Sequence, residues 1–113
     1  AMARAFLAEG AQAVVLGDLD AGAVEAAGRS IGCDFRACDV THEDQVDALV
    51  GYALDRHGRI DLFCSNAGGR GYGKPTEASN ALWQQQWELH VMSHVYAARA
   101  VLPSMIARGE GYL

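Results

Sequence analysis

The sequence predicts an α/β fold, a partial doubly wound parallel sheet with helices on both faces. Short apolar runs alternate with stretches of helical period, the order that builds a parallel sheet. The runs are Ala13-Val14-Val15-Leu16-Gly17, Phe35 to Asp39, and Ile60 to Ser65. Each ends in residues suited to meeting a ligand: Asp18, Asp39-Val40 and Asn66-Ala67-Gly68. In an open α/β sheet the ligand crevice lies beyond the carboxyl ends of the strands.

Each element has its own signal. Ala1 to Glu9 is Ala-rich and helix-favouring, with Gly10 as its stop and no capping residue ahead of it. Asp20 caps a helix from about Ala21 to Ile31, ended by Gly32. Thr41 is the expected N-cap of the next helix, with Glu43 and Asp44 in its first turn. Val46, Leu49, Val50, Ala53 and Leu54 form one buried face, and Gly58 closes that helix. From Gly69 to about Asn80 the composition predicts a loop. A long helix follows from Ala81 to about Arg108, bent or restarted at Pro103. Trp83, Trp87, Val91, Val95, Ala98, Leu102 and Met105 make its apolar stripe, read as core or subunit contact. Gly111-Tyr112-Leu113 reads as the opening of one more strand.

Bulk properties narrow the function. A chain of 113 residues holds one domain, marginal in size for a full doubly wound sheet. The net charge of -5 argues against nucleic acid or an anionic membrane as partner, because phosphate binding needs clustered cations. No apolar run reaches the roughly 18 residues that span a bilayer. Arg4 and Glu9 interrupt any signal-like start. Cys33, Cys38 and Cys64 form no metal-type spacing and read as reduced structural thiols of a cytoplasmic protein, two of them in apolar runs. No metal is expected.

The three strand ends carry the chemistry. A carboxylate at Asp18 can take both ribose hydroxyls of an adenosine and repels a 2′-phosphate, or it can simply open the turn before a helix. Asp39 and the N–H of Val40 can read the edge of adenine, or Asp39 can cap a helix. The small residues of Asn66-Ala67-Gly68 let a ribose or nicotinamide lie close, or form a plain glycine turn. Gly69-Arg70-Gly71-Tyr72-Gly73 is not a phosphate loop, since Lys74-Pro75 follows in place of a helix.

Taken together, these three junctions resemble the short-chain dehydrogenase/reductase family. The matching residues are Asp18 after its apolar run, then Cys38-Asp39-Val40-Thr41, then Asp61-Leu62-Phe63-Cys64-Ser65-Asn66-Ala67-Gly68, and the likeness extends from Ala1 to Leu113. It implies a single incomplete Rossmann-type dinucleotide-binding domain over residues 1–113. It implies hydride transfer between a nicotinamide cofactor and a secondary alcohol or ketone. Asp18 and Leu19, Asp39 and Val40, and Asn66, Ala67 and Gly68 would be the cofactor residues. Asp18 with no Arg beside it points to NAD rather than NADP. Arg70 or Tyr72 would border the substrate. The long helix from Ala81 would pair with its mate in a homodimer or homotetramer.

Two departures from the family stand out. His90 occupies the position of a family Asn that holds a water in the catalytic proton relay; an imidazole is bulkier and titrates near neutrality, and it also reads as a helix-face histidine. His42, His57 and His94 read as surface or capping residues. The family's glycine-rich first turn and its Ser and Tyr-x-x-x-Lys set are absent from the sequence, where Lys74 is the sole lysine and Arg70 stands four residues before it. In the strand order 3-2-1-4 the missing strand belongs between Ala13–Gly17 and Ile60–Ser65. With strands roughly 4.8 Å apart, its absence predicts a gap of about 10 Å, so the residues are expected to be part of a longer chain. A methyltransferase using S-adenosylmethionine and a non-enzymatic dinucleotide sensor are the rival readings.

Overall fold

A computed structural model describes residues 1–71 and 73–113; Tyr72, one of the two residues expected beside the substrate, lies outside the described residues. Helix α1 (Met2–Ala8) leads to β1 (Val15–Asp18), α2 (Ala21–Ile31), β2 (Asp34–Ala37) and α3 (Glu43–His57). A loop then reaches α4 (Asn80–Trp87), a π-helical turn over Glu88–Met92, and α5 (Ser93–Arg108). Gly10 does stop the first helix. At φ 94° it lets the Ala11 N–H reach the Phe6 carbonyl at 2.9 Å, satisfying an orphan end group.

Strands β1 and β2 pair in parallel, Val15 with Asp34 through Asp18 with Ala37. Helix α2 crosses between them. Asp20 caps it, accepting the Ala23 N–H at 2.9 Å, and Gly32 ends it. Its inward face is Val24 and Gly28, both buried. Gly28 is there because the helix lies against an aromatic ring: a Cβ at that position would stand 2.3 Å from the Phe35 ring.

Helix α3 starts later than Thr41 predicts. His42 occupies the N-cap position without a side-chain cap, because the Thr41 hydroxyl donates instead to the Asp39 carboxylate at 2.7 Å. A charged acceptor at that distance outcompetes the neutral end of a helix. Val46, Val50 and Ala53 are buried as the periodicity predicts. Val50 joins Val101 and Met105 in the core, with Leu54, Ile60, Phe63 and Leu102 packed around them.

The third expected strand, Ile60 to Ser65, is reduced to one parallel bridge between Leu62 and Tyr112. The Phe63 N–H donates to the Tyr112 carbonyl at 3.0 Å and the Tyr112 N–H to Asp61 at 2.9 Å. The terminal Gly111-Tyr112-Leu113 thus begins to pair, as its composition suggests. Among the described residues no hydrogen bond joins this segment to β1. A ladder needs neighbours along its length, and among the described residues only Tyr112 supplies one.

The long helix is broken elsewhere than at Pro103. It begins at Asn80, where the Ser79 hydroxyl accepts the Leu82 N–H at 3.1 Å, and α5 runs through Pro103. The irregularity is the π turn at 88–92, whose extra residue rotates everything after it by roughly 100°. The expected stripe is split accordingly. The buried row is Ser93, Ala97, Val101 and Met105, while Trp83 and Trp87 are 55% and 54% exposed. The tryptophans are therefore not core of this chain. Nor is Cys64 buried, in contrast to Cys38. No helix is long and apolar enough to cross a membrane among the described residues.

Two helix glycines test the packing. Gly28→Ala is expected to destabilise the protein by about 1–3 kcal/mol, because the clash with Phe35 exceeds the propensity gain of about 1 kcal/mol. Gly51→Ala in α3, where nothing stands within 4 Å of a new Cβ, is expected to stabilise it by about 0.5–1 kcal/mol. Urea midpoints at constant m measure both.

Candidate functional site

The β1 and β2 ends lie side by side. The Cys38 N–H donates to the Asp18 carbonyl at 2.9 Å, so the carboxyl ends of both strands reach the same edge. Asp18 performs the local duty considered for it: one carboxylate oxygen accepts the Asp20 N–H at 3.0 Å. Its other oxygen has no hydrogen-bond partner among the described residues, and the residue is exposed. Leu19, beside it, is 72% exposed. The end of β1 thus presents a carboxylate next to an uncovered apolar side chain, a combination able to take a sugar diol and shield it on one side.

Asp39 is more occupied. Its Oδ1 accepts both the Thr41 N–H at 3.0 Å and the Thr41 hydroxyl at 2.7 Å, and its Oδ2 lies 3.4 Å from His42 Nδ1. The Thr41 hydroxyl above all, with the Thr41 N–H and His42, holds the Asp39 carboxyl below the usual carboxylate range. It remains an acceptor at neutral pH. The Asp39 N–H is taken by the Gln45 side chain at 2.8 Å. Sequence reasoning missed Gln45. Its signal was a Gln three residues after the N-cap, the capping-box position, although here it reaches past the cap to Asp39. Val40 follows, half-buried, with its N–H unpaired among the described residues.

The Asn66-Ala67-Gly68 end is a separate cluster. All three residues are exposed, and the Asn66 N–H folds back onto the Cys64 carbonyl at 2.9 Å. The π turn brings His90 onto this end, its Nε2 at 2.9 Å from the Gly69 carbonyl. His94, which the sequence placed among surface or capping residues, sits one turn further on with Nδ1 at 2.6 Å from the Ser65 hydroxyl. Its i, i+4 spacing from His90 was the available clue. Arg70 is exposed in the adjoining loop. No hydrogen bond among the described residues links this cluster to Asp18 or Asp39.

His42 belongs to the Asp39 turn, whereas His57 lies away from both clusters: it pairs with Asp34 at 2.8 Å at the amino end of β2, beside Arg56. Among the described residues no group of His, Cys, Asp and Glu is arranged to hold a metal.

Known proteins fit this geometry. A family profile described as enoyl-(acyl carrier protein) reductase matches residues 1–113. The 7α-hydroxysteroid dehydrogenase of Escherichia coli (strain K12) is 31% identical over 108 residues, covering 88% of this chain and 41% of that protein. A variant of actinorhodin polyketide ketoreductase, solved with NADPH, superposes at a TM-score of 0.90 with 27% identity, over 96% of this chain and 44% of that one. L-sorbose reductase from Gluconobacter frateurii, solved with NADPH and L-sorbose, superposes at 0.86 with 34% identity, over 97% and 44%. The chain therefore spans about two fifths of the length of the relatives it resembles.

Thr41 provides a test of the Asp39 turn. A carboxyl with a lowered folded pKa stabilises the protein fully above its unfolded value near pH 4, and that contribution is lost as the pH falls through the folded value. Thr41→Val should cost about 1 kcal/mol at neutral pH and converge with the wild type as the pH falls below the lowered folded value. Thermal melts across that range measure it.

Proposed function

The chain belongs to the short-chain dehydrogenase/reductase family, and we propose that in the full-length protein it forms the adenosine side and the central strand end of a dinucleotide site. The whole enzyme would transfer hydride between a nicotinamide dinucleotide and a secondary alcohol or ketone. The observation that carries this is the placement of Asp18 and Asp39 on one sheet edge, with an exposed Asn66-Ala67-Gly68 turn at the other strand end. Family membership removes the methyltransferase reading.

In this proposal Asp18 accepts the adenosine ribose hydroxyls through its unpaired oxygen, with Leu19 against the sugar. Asp39 and the Val40 N–H meet the adenine edge, and Asn66, Ala67 and Gly68 let the second ribose come close. A nicotinamide bound there would donate or accept the hydride. The acid–base residues come from outside these 113 residues, whose sole lysine, Lys74, pairs with Glu77 at 3.2 Å. The substrate is a small alcohol or ketone, in keeping with the relatives' names. Cytoplasmic residence belongs to the same reading and is supported by three free thiols.

Two observations pull the cofactor choice in opposite directions. Both similar structures named above hold NADPH. Asp18 and Asp20, both exposed in one turn, would repel a 2′-phosphate. We give the charge of this chain's own residues precedence and propose NAD, because two carboxylates beside a phosphate dianion act directly on the group that distinguishes the cofactors. Asp18→Ala in the full-length protein should weaken NAD binding about tenfold and narrow its preference over NADP. Unchanged NAD affinity would remove the ribose role of Asp18.

Self-association through the long helix is supported by its uncovered apolar face. Val95, Ala98, Leu102 and Pro103 line a groove with Ile106, which is 74% exposed, and Trp83 and Trp87 extend apolar surface along the same helix. A second copy of the chain is the proposed cover. Ile106→Glu should shift the full-length protein to a smaller assembly in light scattering, whereas an unchanged mass would place the contact elsewhere.

A further inference from the structure

Two histidines one helical turn apart grip the two ends of a single five-residue segment. His94 Nδ1 lies 2.6 Å from the Ser65 hydroxyl, and His90 Nε2 lies 2.9 Å from the Gly69 carbonyl. Between these contacts stand Asn66, Ala67 and Gly68. A carbonyl oxygen only accepts, so His90 donates from Nε2 and that bond sets its tautomer. The Ser65 hydroxyl both donates and accepts, and either tautomer of His94 serves.

The segment has little else to hold it. The parallel bridge ends at Phe63, and among the described residues the one backbone bond beyond it is the local Asn66 N–H to Cys64 contact at 2.9 Å. Its close seat on the helix is shown by its glycines. A Cβ at Gly68 would stand 3.3 Å from His90 Cε1, and one at Gly69 would stand 3.2 Å from Leu89 Cδ2. The π turn containing Leu89 and His90 is what presents both side chains to this loop.

We infer that His90 and His94 are positioning residues that clamp the Asn66-Ala67-Gly68 strand end in the shape the dinucleotide needs; this rests on the cofactor reading above. His90 on this account spends its ring N–H on the protein backbone. It does not take over the water-holding task that a family Asn performs at its position.

The two histidines reach with different ring nitrogens, which gives a crossed rescue. Gln carries an amide N–H at the reach of His Nε2, and Asn carries one at the reach of Nδ1. In the full-length protein, His90→Ala and His94→Ala should each raise KM for the dinucleotide about threefold to tenfold while kcat changes less than about twofold. Both should speed amide exchange within residues 65–71 in the absence of cofactor. His90→Gln and His94→Asn should restore both readouts, whereas His90→Asn and His94→Gln should not. Unchanged exchange in both Ala variants would overturn the clamp, as would better rescue of His90 by Asn than by Gln. If the wild-type protein binds no dinucleotide, the cofactor reading fails, and the exchange measurements still decide whether the clamp exists.

Discussion

One helix joins the two halves of this structure. Leu49 of α3 lies against Gly17 of β1, where a Cβ would stand 2.7 Å from its methyl group. One residue on, Val50 enters the core formed with Val101 and Met105, beneath Ile60 and Phe63. The β1–β2 pair and the Leu62–Tyr112 bridge share no hydrogen bonds among the described residues, so their relative placement depends on this apolar seam. Non-directional packing of this kind tolerates small shifts that a continuous ladder would resist. The proposed crevice edge would be set in two pieces: Asp18 and Asp39 by backbone pairing, and Asn66 to Gly69 by contacts with the long helix.

That division explains the chemistry of the strand ends. The β2 end is fixed by a charge-assisted turn in which Thr41 and Gln45 satisfy Asp39 and its amide, leaving Val40 free to donate. The β1 end is looser, with one Asp18 oxygen spent on the turn and the other open. The third end borrows its order from His90 and His94. A polar ligand crossing all three would meet an acceptor, a donor and bare backbone in turn, which is the demand an adenosine and its neighbouring ribose make.

Much of this was legible in the sequence because it depends on local rules. Asp20 capping α2, Gly32 and Gly58 ending helices, and the Val46–Val50–Ala53 face all follow from capping and a 3.6-residue period. Thr41 was misread because the competing acceptor, the Asp39 carboxylate two residues upstream, forms a local side-chain turn that takes the hydroxyl from the helix end. The long helix was misread for a different reason. A stripe drawn through Trp83, Trp87, Val91 and Val95 assumes one unbroken period, and no residue between 88 and 92 announces a π turn. Once that extra residue is counted, the buried row becomes Ser93, Ala97, Val101 and Met105, and the two histidines fall on the loop side. Ile60 to Ser65 has strand composition, but strand character is completed by neighbours, which a single run of residues does not specify.

The proposed site requires three β–α junctions to meet one dinucleotide. The most direct measurement is a titration of the isotopically labelled full-length protein with NADH, followed by backbone amide shifts. Saturable changes are expected at Asp18 and Leu19, at Val40, and from Asn66 to Gly69, with one common dissociation constant. Shifts at only one of these ends, or none at all at saturating NADH, would contradict the proposed site.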